Sequence, residues 1–119
     1  MRKNIILLAS ILTSSLVMAN NSHDHHHQPS TEFGKDYLSS MVEMHQGMEQ
    51  AAFAQNPDVS FAQGMIVHHQ GAIEMAKIQL KYGKDPEMRQ LAEQIIQAQE
   101  PEIKQMEDWL NKHNEKIFK

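Results

Sequence analysis

The sequence contains no cysteine. A disulfide framework, a thiolate metal site and a lipid-attachment thiol are therefore excluded, and any soft metal ligand has to be methionine or histidine. A chain without thiols suits an oxidising compartment. Long apolar runs are scarce as well: one extends from Ile5 to Val17, directly after Arg2 and Lys3, and no second one follows. That run is too short for a membrane span, and it leads into Val17-Met18-Ala19, compact residues suited to cleavage. Residues 1–19 therefore read as a secretory signal peptide, and the mature protein is expected to be exported, periplasmic or beyond, without stable membrane insertion. Basic charge is also short. With Arg2 and Lys3 removed, nine Lys and Arg face fifteen Asp and Glu, a net charge of six negative with histidine neutral, which disfavours a nucleic-acid partner. No nucleophile or acid–base constellation stands out, so the chain reads as a binding protein and not an enzyme.

What remains is about one hundred residues, enough for one domain with one core. Methionine is the anomaly: Met41, Met44, Met48, Met65, Met75, Met88 and Met106 all fall in the mature part. Residues 20–31 are polar and lack an apolar period, so this His-rich tail is expected to be disordered. A first helix should start near Ser30 or Thr31, carry Phe33, Tyr37, Met41, Met44, Met48 and Ala52 at three- to four-residue intervals, and end near Gln55. Asn56-Pro57-Asp58 supplies an N-cap, a proline at the first helical position and an acid in the first turn. The second helix should bury Phe61, Met65, His68, Ala72, Met75 and Leu80 and stop at Gly83, where a left-handed residue is common. Asp85-Pro86-Glu87 repeats the start signal for a third. Its stripe, Met88, Leu91, Ala92, Ile95, Gln99, Glu102, Met106, Leu110 and His113, keeps one phase across Pro101, which predicts a kinked helix and leaves a break into two as the alternative. Short connections make consecutive helices antiparallel. The expected fold is all-α, an up-down-up bundle of three long helices over residues 32–119, with dimerisation as a way to complete it.

An internal repeat points to the chemistry. Tyr37 to Gly47 aligns with Phe61 to Gly71, pairing Met41 with Met65, Met44 with His68 and His45 with His69. In a hairpin turning at Asn56-Pro57, residues equidistant from the turn share a level, so Met48 should face Met65, His45 should face His68 and Met44 should face His69. These six candidate ligands, with Met41 nearby, would gather within about 8 Å of helix length. Gly47 and Gly64 lie at the same height and would let the backbones approach. Folding the third helix back about Lys84 brings Gln99, Glu102 and Ile103 to the level of His69, with Met106 a turn away.

Thioethers are neutral and soft and select Cu(I), while imidazole accepts copper in either oxidation state. Zinc would ask for cysteine or carboxylate beside histidine. A di-iron bundle would ask for Glu-x-x-His, and no glutamate here has a histidine three residues later. Against this stands ordinary packing. A methionine stripe at helical spacing is usually core, which is how Met75, Met88 and Met106 read alone, whereas imidazoles are poor core residues and here stand among thioethers. His113, isolated near a helix end, reads as a surface residue. His23, His25, His26 and His27 form a weak tail site suited to Cu(II), although cleavage after Ala19 would leave His23 one position too late for an amino-terminal Cu(II) clamp.

The run F-x-x-x-M-x-x-H-H-x-x-A-I-x-M-A from Phe61 to Ala76, and I-x-x-x-Q-x-x-E-I-x-x-M-x-x-W-L from Ile95 to Leu110, resemble the ferritin-like domain-of-unknown-function family numbered three hundred and five. The resemblance implies a helical bundle and, for the members studied, extracytoplasmic copper binding linked to copper tolerance. By motif match it carries over Met65, His68, His69 and Met75, with Gln99, Glu102 and Met106 from the second motif. Met44-His45 stands where a fuller copy would have two histidines, which tilts the site toward Cu(I). The expectation is thus an exported protein that sequesters Cu(I) or hands it to a delivery partner. A metal-independent helical module that engages a partner or a second copy is the alternative.

Overall fold

The computed structural model describes residues 29–118. Residues 1–19, read above as a signal peptide, and His23, His25, His26 and His27 lie outside them. Three helices follow one another: α1 Glu32–Ala52, α2 Pro57–Tyr82 and α3 Pro86–Lys112. Each start is capped by a short polar side chain. Thr31 Oγ1 accepts from the Gly34 amide at 3.2 Å, Asn56 Oδ1 from Asp58 at 2.8 Å and Asp85 Oδ1 from Met88 at 2.9 Å. Pro57 and Pro86 stand at first helical positions, where the missing N–H has no intrahelical acceptor to lose. α1 closes at Ala52 rather than Gln55, because the Phe53 and Ala54 amides tighten onto the carbonyls of Gln50 and Ala51.

Gly83 is not left-handed: its φ of −75° and ψ of 144° are extended. The carbonyls that a left-handed turn would serve are taken from the next helix, as Arg89 Nη1 donates to Leu80 at 2.6 Å and to Gly83 at 2.9 Å. A side chain at position 83 would still meet the Gln79 carbonyl at 2.7 Å, so the glycine is needed for space. α3 runs unbroken through Pro101. Its end carries the left-handed residue instead: Asn114 has φ 56°, and the Glu115 amide reaches back to Leu110 at 2.9 Å in a Schellman turn.

The helices run up-down-up, with α2 in the middle. Near the α2 C-terminus, Lys81 Nζ and Tyr82 Oη each donate to Asp36 Oδ2 of α1 at 2.8 Å. These two hydrogen bonds, Lys81 first, hold the Asp36 carboxyl below its ordinary value, and the same contact raises Lys81. Tight apposition comes from Gly47, where a Cβ would sit 2.7 Å from Val67, and from Gly71, where it would sit 2.6 Å from Met44 Sδ. Gly64, the other glycine expected at the contact, has ordinary clearance of 3.6 Å to Ala51.

α2 packs on both neighbours, whereas no Cα of α1 comes within 8 Å of one in α3. The three helices form an open layer and not a closed triangle. The expected buried stripe of α2 is therefore corrected. Val59, Ala62, Gln63, Ile66, Val67, His69, Gly71 and Ala76 are buried, and none of Phe61, Met65, His68, Ala72, Met75 or Leu80 is. A helix with a neighbour on each flank buries two sides, and Ala72 and Met75 line a groove between α1 and α3 instead. The core cluster of Val59, Ala62, Ile66 and Leu110 lies toward the α1–α2 turn, backed by Ile103, Met106, Trp109 and Ile117. The segment after α3 folds back over this end, where buried Gln63 donates to the Lys116 carbonyl at 2.7 Å. Among the described residues no helix is long and apolar enough to cross a membrane.

Candidate metal site

Among the described residues His69 is the one buried histidine, 7% exposed. It projects from α2 toward α3, where its Nε2 lies 2.5 Å from Glu102 Oε2. The level expected for Glu102 is thus realised, with its carboxylate engaged by the imidazole. An ionised carboxylate can only accept, so Nε2 carries the proton and, in the neutral ring, the lone pair resides on Nδ1. That Nδ1 is buried and has no hydrogen-bond partner. A carboxylate that fixes one imidazole nitrogen while the other stays available is the arrangement that orients histidine ligands on metals.

Antiparallel register puts two thioethers one helical turn from this pair. One turn earlier on α2 stands Met65 and one turn later on α3 stands Met106, so stepping from His69 and Glu102 by four residues along each helix brings two thioethers to a shared level. Both methionines are half-buried, and Met106 packs against the core cluster. The chemistry of such a set is that of a soft cation: one imidazole nitrogen and two neutral sulfurs suit Cu(I), whose low coordination number needs no fourth ligand. Among the described residues no three His, Asp or Glu side chains gather to hold an ion.

The other candidates are dispersed. Met44 lies with its Sδ against Gly71, in a groove bordered by Glu43, Gln46, Gln70 and Glu74, and not opposite His69 as hairpin counting suggested. His45 and His68 are exposed, Met48 is 39% exposed and Met41 is half-buried. The rings of His68 and His69 are 6.3 Å apart and inclined at 64°, the first exposed and the second buried. Met75 and Met88 line the groove between α1 and α3 together with Phe33, Tyr37, Leu91 and Ile95. His113 stacks on Trp109 at 4.1 Å and is exposed. None of the seven described methionines is buried, the core being built of Val, Ala, Ile and Leu.

Residues 58–118, nearly all of α2, all of α3 and the segment after it, match a family described as Domain of unknown function (DUF305). An uncharacterised protein of Acanthamoeba polyphaga mimivirus is 41% identical over 63 residues, which is 51% of this chain and 41% of that protein. The match thus spans about two fifths of the viral relative's length. His69, Glu102, Met65 and Met106 all lie inside the family match, and the α1 candidates Met41, Met44, His45 and Met48 lie before it.

Proposed function

The chain belongs to the DUF305 family, and we propose that it is an exported protein that binds Cu(I) at the α2–α3 seam through His69 Nδ1, Met65 and Met106, with Glu102 orienting the imidazole. The observation that carries this reading is the unpartnered, buried Nδ1 of a histidine whose other nitrogen is held by a carboxylate. An unsatisfied polar atom of this kind costs about 1–3 kcal/mol when nothing meets it. A bound cation removes that cost. Export is supported by the apolar run and small residues of Met1 to Ala19, and a thiol-free, thioether-rich chain is suited to reduced copper outside the cytoplasm. The protein sequesters copper or passes it to a delivery partner without catalysis, contributing to copper tolerance.

The test is titration of the full chain with Cu(I) against a competing chelator, followed by X-ray absorption of the bound metal. Sulfur and nitrogen scatterers together support the site. Absence of Cu(I) uptake overturns it.

A metal-independent interaction module is the second reading, and the open apolar groove between α1 and α3 favours it. It predicts that a partner or a second copy binds equally well with and without copper.

A further inference from the structure

The groove between α1 and α3 is a separate feature from the seam site. It has a volume of about 350 Å³, and none of its twelve lining residues is charged. The two ends of the open layer differ in how they are covered. At the α1–α2 turn the segment after α3 folds back, with Ile117 packed on the core cluster and Gln63 donating to the Lys116 carbonyl. At the other end no described segment lies over the groove, and Phe33, Tyr37, Met75, Met88 and Leu91 stand between 36% and 50% exposed along it. At about 200 Å² for a large apolar side chain, these five leave roughly 400 Å² open to solvent. A contiguous apolar patch of this size on a soluble chain is often a functional surface.

We infer that this face is a two-fold interface with a second copy of the chain, in which Phe33, Met88 and Leu91 of each copy cover the groove of the other. Charge selects that occupant. The chain is acidic, with a formal net charge of −4, so two copies repel over most of their surfaces and approach at least cost where the face is uncharged. Several charges beside the groove are already engaged within the chain: Asp36 with Lys81, Glu32 with Lys35, and Arg89 with the carbonyls of Leu80 and Gly83. A strongly charged partner would find little to bind here. The area suits a reversible pair. Two copies face to face bury about 800 Å² from the five side chains alone, and the polar rims of the helices extend this toward the low end of specific interfaces, about 1,200 Å². A two-fold interface uses the same patch on both copies, and the unbranched side chains of Met75 and Met88 adapt to such a self-match. Met65, His69 and Met106 line no part of the groove, so the interface is independent of the seam site.

The test is sedimentation velocity of the full chain, free of copper, over a concentration series. Wild type is compared with Leu91→Lys and Met88→Lys, which place a charge in the groove, and with Phe61→Lys, which places one on an exposed side chain outside it. All three positions are exposed, and circular dichroism checks that the helices remain. Wild type should dimerise reversibly, each groove variant should raise the dissociation constant at least tenfold, and Phe61→Lys should leave it unchanged. A monomer at every concentration up to about 1 mM overturns the proposal and leaves the groove to a different occupant. A dimer untouched by both groove variants, or one that forms only after Cu(I) is added, overturns it as well. Dimerisation as described in a protein that takes up no Cu(I) would sink the seam reading and leave the interface standing.

Discussion

His69 Nε2 and Glu102 Oε2 stand 2.5 Å apart across the α2–α3 seam, and the other nitrogen of the same ring is buried without a partner. The side chain of Glu102 is 64% exposed and that of His69 is 9% exposed, so the pair has one wet end and one dry end. A hydrogen bond whose acceptor is this open to solvent contributes little stability by itself. Its consequence is orientation: the imidazole cannot turn its lone pair outward while the carboxylate holds Nε2.

Glu102→Ala should therefore separate stability from binding. The melting of the metal-free protein is expected to change by no more than about 0.5 kcal/mol, as for other exposed positions. Cu(I) affinity should fall on the order of tenfold, as it does when the partner of a metal-bound histidine is lost. Circular dichroism and chelator competition on the same preparation check both outcomes.

The close approach of α1 and α2 makes a contrast between two glycines. Gly47→Ala would push a methyl to 2.7 Å from Val67 Cγ1, and a β-branched neighbour cannot swing aside, so destabilisation of about 1–3 kcal/mol is expected. Gly64→Ala meets only Ala51 at 3.6 Å and gains helix propensity, so it should be neutral or stabilising by up to about 1 kcal/mol. Urea unfolding of the two variants measures the difference.

Asp36 ties α1 to α2 through Lys81 and Tyr82, and its carboxyl is held below the ordinary value chiefly by the Lys81 hydrogen bond. A lowered folded-state value means stability that is present above the unfolded carboxylate range, near pH 4, and lost as pH falls through the lower folded value. Lys81 is raised, so its share is present below about pH 10 and lost only at more alkaline pH. Between these limits the contact should be insensitive to pH. Below pH 4 wild type is expected to lose thermal stability more steeply than Asp36→Asn, and melting curves taken from pH 2 to 7 test this.

Metal preference follows from the donors. Ag(I), soft like Cu(I), should compete for the seam site, whereas Zn(II) should bind far more weakly because only one imidazole there suits it. Parallel titrations with the three ions decide the matter, and equal competition by Zn(II) would mean that the site is built of other ligands.

Much of the fold was legible in the sequence because its determinants are local. Thr31, Asn56 and Asp85 cap helices through their own backbone neighbours, and the unbroken phase across Pro101 marked α3 as one helix. The level of Glu102 opposite His69 followed from helix rise alone. What was hidden depended on partners distant in sequence. Arg89 reaches back to the carbonyls of Leu80 and Gly83, so Gly83 needs no left-handed turn. α2 carries apolar residues around most of its circumference, and periodicity could not tell which face two flanking helices would cover. The stripe through Phe61, Met65, His68, Ala72 and Met75 was the more regular one, yet the structure buries its neighbours. Hairpin counting likewise put Met44 opposite His69, whereas His69 turns to α3 and Met44 rests on Gly71.

The most direct measurement is the Cu(I) affinity of Met65→Leu/Met106→Leu, determined by chelator competition beside the circular dichroism of the metal-free protein. Leucine conserves volume at these half-buried positions and usually costs less than about 1.5 kcal/mol, so the helices should remain. With two sulfurs gone and His69 and Glu102 still paired, binding at the seam should weaken at least tenfold, about 1.4 kcal/mol. Helicity like that of wild type together with an unchanged Cu(I) affinity would contradict the account and return both methionines to ordinary packing.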